Sequence, residues 1–214
     1  MERMIRKYDG YSICEADTEC VGEVANFIVR ENYKHHQSKQ SFDNMQLKEA
    51  ASIKADEMKY KGSHFFLARD TKGKLIGAIR VFHWNGKDEL PIEHIFQINP
   101  METIGKGEDF SYWHVGRFAI DLSAGFSTLS MFKQLMALAI MPIVHDKHGY
   151  MIAETDCKLH RIMNKLGIAT TSLGKPVYHL ASMTEPICSS REDLLPYYVR
   201  MSNGIASSCL DTKV

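Results

Sequence analysis

The chain has 214 residues and carries 26 Lys+Arg against 26 Asp+Glu, so its formal net charge is zero and it has no global attraction for nucleic acid or an anionic membrane surface. That length buries a sizeable core, and with no composition shift long enough for a linker, residues 1–200 are expected to form one domain followed by a loose tail, 201–214. Five cysteines, odd in number and scattered, together with an N-terminus (MERMIRKYDG) lacking a hydrophobic signal segment, point to a reducing cytoplasm.

In chain order, Tyr11 to Ala16 reads as a short strand. Thr18 then caps a helix over Glu19 to Tyr33, with Val21, Val24, Ala25, Ile28 and Val29 on one side. Lys34 to Phe42 is polar and expected to be mobile, and Asn44 to Lys61 is rich in helix formers and stops at Gly62. His64 to Asp70 and Leu75 to Trp84 form a hairpin around Thr71-Lys72-Gly73-Lys74. The second of these runs is apolar on both faces, as suits a central strand, apart from Arg80, whose burial requires an anionic partner or an anionic substrate. Asn85 to Asp109 is a Gly/Pro/Asn-punctuated excursion too long for a hairpin loop, so it is expected to carry local structure.

Trp113 to Ile120 is aromatic and β-branched, Ser123-Ala124-Gly125 breaks the run, and Leu129, Phe132, Met136, Ala139 and Ile143 recur at helical spacing. This strand, turn and long helix offer a phosphate site, because a helix start leaves backbone N–H groups free at the positive end of its dipole. The apolar window Phe126 to Val144 includes Lys133, Gln134 and Pro142 and reads as a buried helix, not a membrane span. Tyr150 to Thr155 is a further strand, and Asp156 caps a helix with Leu159, Ile162, Met163 and Leu166 on its apolar face and Gly167 at its end. Two short strands, near Ile168 to Ser172 and Pro176 to Ala181, close the pattern.

This order resembles the GNAT acyltransferase superfamily from about Phe65 to Ala181, and within it the acyl-homoserine-lactone (autoinducer) synthases and N-acyl amino acid synthases. The residues that carry the resemblance are Gly77-Ala78-Ile79-Arg80, Leu90 to Phe96 (LPIEHIF), Gly116-Arg117-Phe118-Ala119-Ile120, Leu166-Gly167 and Leu173 to Tyr178 (LGKPVY). The resemblance implies an α/β (α+β) fold with a mixed, mostly antiparallel sheet, helices on both faces and a splayed strand pair. It also implies transfer of a fatty acyl group from a phosphopantetheine thioester, on acyl carrier protein or coenzyme A, to the amine of an amino acid or similar acceptor. No tightly bound cofactor and no metal is expected. Carried onto this chain, Phe118, Ala119 and Ile120 supply the strand edge for the pantetheine arm, and Ser123, Gly125 and Ser127 the phosphate cradle.

Three positions depart from the family pattern. The phosphate loop has one glycine and leads with Asp121, which favours a carrier protein over coenzyme A; Met163 stands where many acetyltransferases have a tyrosine acid; and His114 stands where lactone synthases have a glutamate. An acyl-homoserine-lactone-type autoinducer synthase, and a GNAT-like domain without turnover that serves as an acyl-ligand sensor or partner module, are the alternative readings.

His114, expected on one strand face with Tyr112, Gly116 and Phe118 while Arg117 points to the other, is the first candidate base, and Glu93 the second. Arg117 is the candidate for acceptor and geometry control, with Arg80 and Trp113 as substrate contacts. Lys158, Arg161 and Lys165 fall on one side of the late helix and suit an acidic carrier protein. His145-x-x-His148 and Cys157-x-x-His160 have zinc-type residues, but the intervening strand separates the pairs. Cys157, at a helix start, is expected to be an acidified thiol.

Overall fold

The computed structural model describes residues 2–35, 44–179 and 182–207. The described residues carry one nine-stranded sheet in the order β1 (Glu2–Lys7), β2 (Tyr11–Ala16), β3 (His64–Asp70), β4 (Leu75–His83), β5 (Ser111–Ile120), β6 (Gly149–Asp156), β9 (Ser182–Ser190) and β7 (Thr171–Ser172), with β8 (Val177–His179) also on β9. Every pairing is antiparallel except β5 with β6. The helices are α1 (Val21–His35), α2 (Asn44–Glu57), α3 (Pro91–Phe96), α4 (Pro100–Thr103), α5 (Thr128–His145), α6 (Cys157–Lys165) and α7 (Arg191–Ser207).

The hydrophobic pattern sets the layers. β4 is buried from Leu75 to Phe82, so it must be covered on both sides. On one face, Val24, Phe27 and Ile28 of α1 and Ile53 of α2 pack against Phe65, Leu67, Ala78 and Ala119. On the other, Phe132, Leu135, Met136 and Ile140 of α5 meet Phe66, Ile79, Val81, Val115 and Ile120. By length and composition α5 is apolar enough to cross a membrane, yet half of that window is buried inside the fold. α7 lies outside α5, with Leu194 and Tyr197 in the same core and the Tyr197 hydroxyl donating to the Lys133 carbonyl at 3.0 Å.

The expected hairpin, central strand, core helix and Asp156-capped helix are all present, and the excursion carries α3 and α4. Four elements differ from the sequence reading. β1 is an added edge strand, exposed along most of its length, whose charged residues at both ends and lack of apolar alternation conceal its pairing. α2 stops at Glu57 rather than Lys61, because the Glu57 carboxylate is drawn into the sheet. β9 is a full strand next to β6, hidden in the sequence by Pro186, which stands opposite Glu154 and whose carbonyl accepts from the Leu173 N–H. α7 continues to Ser207, past the expected start of a loose tail at Met201. Residues 36–43 and 208–214, with most of the Lys34–Phe42 connection and Cys209, lie outside the described residues.

β6 starts at Gly149, after a turn of three residues from the end of α5, and a Cβ there would fall onto the Ile143 carbonyl oxygen. Gly149→Ala is expected to destabilise the fold by about 1–3 kcal/mol through overpacking against rigid backbone, read as a lower denaturant midpoint.

Candidate active site

β5 and β6 run side by side for only four residue pairs, from Ser111↔Gly149 to His114↔Ile152. Beyond them β6 stays on β9 as far as Asp156↔Thr184, and β5 stays on β4 as far as Ile120↔Gly77. The two strands therefore part, and each turns an unpaired edge to the gap. A bulge in β5 accompanies the parting: Ile79 faces both Arg117 and Phe118, and Arg117 takes φ 55°. A left-handed arginine costs on the order of 1–3 kcal/mol and persists only where its surroundings hold it.

The bulge also resets the faces. Gly116 and Arg117 both lie on the His114 side, and Phe118 turns to the α5 side, where it meets Phe132 edge-on at 5.3 Å. The alternation expected for an unbroken strand, with Arg117 opposite His114, is thus corrected. Gly116 keeps this spot open, since a Cβ would stand 3.2 Å from His114 Cε1 and 3.4 Å from Arg80 Nη2, and those side chains would have to give by a few tenths of an ångström.

The gap opens into a cavity of about 690 Å³. Its α5 side is apolar, with Val115, Phe118, Phe132, Met136, Met151 and Leu159. Its opposite side carries Arg80, His114, Arg117, Glu154 and His179. Four of these, with Glu57, form one buried chain of contacts. Glu57 Oε1 accepts from Arg117 Nε at 2.7 Å and Arg80 Nη2 at 3.0 Å, Arg80 Nη1 reaches His114 Nδ1 at 2.7 Å, and His114 Nε2 lies 3.0 Å from Glu154 Oε2. Arg80 also lies against a stacked pair of rings, 4.5 Å from the Phe82 centroid and 5.5 Å from that of Tyr60.

A guanidinium can only donate, so Arg80 requires an unprotonated Nδ1 on His114, and the remaining ring proton must sit on Nε2 and point at Glu154. Burial first, and then Arg80, hold the His114 pKa below its ordinary value despite the pull of Glu154, consistent with that neutral tautomer. For Glu57, burial works against the charged form, but Arg80 and Arg117 outweigh it and leave its pKa below the ordinary 4.5.

Phe118, Ala119 and Ile120 line the cavity, as do Arg80, His114 and Arg117. Ser123, Gly125 and Ser127 do not: the Ser123 N–H and hydroxyl both turn to Asp121, Gly125 (φ 78°) makes the bend, and Ser127 caps α5 by accepting from the Ser130 N–H. The cavity instead meets the start of α5 at Thr128 and Leu129. Asp121 is itself paired with Lys74 at 2.8 Å and Lys34 at 3.6 Å. Lys158, Arg161 and Lys165 are exposed on α6, and Lys158 stands at the cavity mouth with the exposed Leu122, Leu129 and Ile162.

Glu93 and Trp113 are corrected, since neither lines the cavity. Glu93 occupies the third position of α3, where its carboxylate accepts from the Leu90 N–H at 3.0 Å and from Asn99 at 3.2 Å, which makes it a capping residue. The Trp113 indole N–H donates to Asp146 at 2.8 Å. Cys157 is not acidified: burial and Glu185 push its thiol pKa up. His160 pairs with the same Glu185 at 2.9 Å, and His145 Nδ1 lies 2.8 Å from the Met141 carbonyl.

Three site residues escaped the sequence reading, namely Glu57, Glu154 and His179. The signal for Glu57 was indirect, since a buried Arg80 demands a carboxylate; Glu154 and His179 lie in strands whose orientation depends on β9. Removing Glu57 leaves Arg80 buried without its carboxylate, so Glu57→Ala is expected to destabilise the protein by about 3–5 kcal/mol, measured by denaturant unfolding. Because the folded pKa of Glu57 is depressed, its stabilisation is complete above 4.5 and is lost as the pH falls through the folded value. Acid titration of the wild type, compared with Glu57→Gln, measures that loss.

No family profile and no curated protein sequence matches the chain. Solved structures do. FeeM, an N-acyl amino acid synthase from uncultured soil microbes, superposes with a TM-score of 0.60 at 15% identity, covering 91% of this chain and 93% of that one. The AHL synthase LasI gives 0.56 at 12% identity, covering 88% and 90%. BjaI, a CoA-dependent acyl-homoserine lactone synthase solved with SAM and isopentyl-CoA, gives 0.54 at 14% identity, covering 88% of each chain. The mostly antiparallel sheet flanked by helices is thus consistent with the GNAT-like fold of these synthases.

Proposed function

We propose that the chain is a cytoplasmic N-acyltransferase that moves a fatty acyl group from a phosphopantetheine thioester to the amine of an amino acid or similar small acceptor. The single observation that carries this reading is the gap between β5 and β6, whose cavity is apolar on one side of the sheet and charged on the other. A thioester needs that division, with a dry chamber for its alkyl chain and a polar one for the incoming amine.

The unpaired β5 edge at Phe118 to Ile120 offers backbone groups to the pantetheine arm, which lies there as an added strand. A backbone N–H of the same edge meets the oxyanion that develops on the carbonyl. The acyl chain extends towards Phe132, Met136 and Met151, where methionines adapt to its shape. Among the described residues Arg117 binds Glu57 through Nε alone, so its terminal nitrogens remain for an acceptor carboxylate. Arg80 holds Glu57 and His114 and serves the geometry of the site.

The donor is carrier-bound. Asp121 takes up the Ser123 end of the bend, and the mouth sets apolar Leu122, Leu129 and Ile162 beside Lys158, with Arg161 and Lys165 exposed on the same helix, which suits an acidic carrier presenting a lipid arm. Incubation with acyl-carrier-protein and acyl-coenzyme A thioesters plus an amine mixture is expected to release free thiol and yield a new amide mass. Thioester binding without thiol release above background would favour the non-catalytic sensor. The triple charge reversal Lys158→Glu, Arg161→Glu and Lys165→Glu is expected to raise KM for the acyl-carrier protein by at least roughly tenfold and leave the acyl-coenzyme A rate nearly unchanged. Equal losses with both donors would show that the patch does not dock the carrier.

A further inference from the structure

At neutral pH an acceptor amine is an ammonium ion and has no lone pair to attack with, so acyl transfer to an amine, on which this inference rests, needs a group that removes its proton. Arg80 and Arg117 have nothing to accept with. His114 is engaged at both ring nitrogens, and protonating Nδ1 would set two cations 2.7 Å apart in a buried place. Both oxygens of Glu154 lie within 3.2 Å of His114 Nε2, and Asp156 is occupied in capping α6.

His179 differs from all of these. It lines the cavity from β8, it is half-buried and so keeps contact with solvent, and its ring has no hydrogen bond or ion pair among the described residues. Burial is the largest influence on it and holds its pKa below 6.5, leaving a neutral imidazole with a free nitrogen at physiological pH. The charged and titratable groups around it come from four elements: Glu154 on β6 and Glu49 on α2 pull the pKa up, while Arg117 on β5 and His94 on α3 push it down.

We propose that His179 is the general base of the transfer, and that Glu154 docks the acceptor ammonium beside it. His179 takes one of the three ammonium protons, and the freed lone pair attacks the thioester carbonyl carbon. The C–N bond forms and the C–S bond breaks, with its electron pair leaving on sulfur. One of the two protons still on nitrogen goes to the departing thiolate, giving thiol and amide. The proton on His179 passes to solvent and is the single proton that the overall reaction releases. His114 and Arg80 are positioning residues that orient Glu154.

The test compares an amino-acid acceptor with hydroxylamine, which is uncharged at neutral pH and needs no base to free its lone pair. His179→Gln is expected to lower turnover with the amino acid by about 100-fold and to replace the acid-side inflection with a rate that climbs steadily with hydroxide concentration. Hydroxylamine transfer, corrected for the uncatalysed reaction, stays at the wild-type level. Glu154→Gln raises KM for the amino acid and moves the acid-side inflection to lower pH, because the carboxylate that raises the His179 pKa is gone. An inflection that survives in His179→Gln, or equal losses with both acceptors, would overturn the role of His179; an inflection unmoved in Glu154→Gln would overturn the role of Glu154. A wild type inert towards every amine would overturn acyl transfer itself and His179's role with it.

Discussion

Glu57 lies between Arg80 and Arg117, and the rest of the site depends on that three-way contact. One carboxylate oxygen from the end of α2 holds a guanidinium on each of two neighbouring strands. On the β5 side it keeps Arg117 in its left-handed bulge, next to where β5 leaves β6. On the β4 side it orients Arg80, which fixes the proton of His114 on Nε2 and thereby the carboxylate of Glu154. Both central partners are 1% exposed, so the arrangement has little water to fall back on. Its geometry has to be made by protein alone.

The opening in the sheet follows from this and from the packing on either side. A parallel pair between two antiparallel blocks is the natural place for a sheet to part, because β5 and β6 are each secured by their other neighbour. α5 fills the apolar face and α1 with α2 the other, so the gap joins two environments of different polarity within a few ångströms. The acyl-transfer reading rests on that juxtaposition.

Much of the fold was legible because its central elements obey their periods. The hairpin of β3 and β4, the helix α5 and the Asp156-capped α6 all show in composition and spacing. β9 did not, since Pro186 suggests a turn and only the pairing with β6 overrides it. At the site, Arg80, His114 and Arg117 stood out as polar residues in apolar strands. Their mutual arrangement could not be read, because a single extra residue in β5 inverts the alternation and nothing at Arg117 announces a positive φ. Glu93 misled for the opposite reason: a glutamate just inside a proline-started helix has a local backbone partner waiting.

The attachment of α2 also decides how molecules travel. Raising that helix from the sheet would strip the carboxylate from both guanidiniums at once, a loss of several kcal/mol, so the roof over the charged chamber is clamped shut. The rim at Leu122, Leu129 and Ile162, where exposed apolar side chains line the cavity, is one way in. If the proposed carrier sits on that rim, it covers this entrance for as long as its lipid arm lies in the cavity.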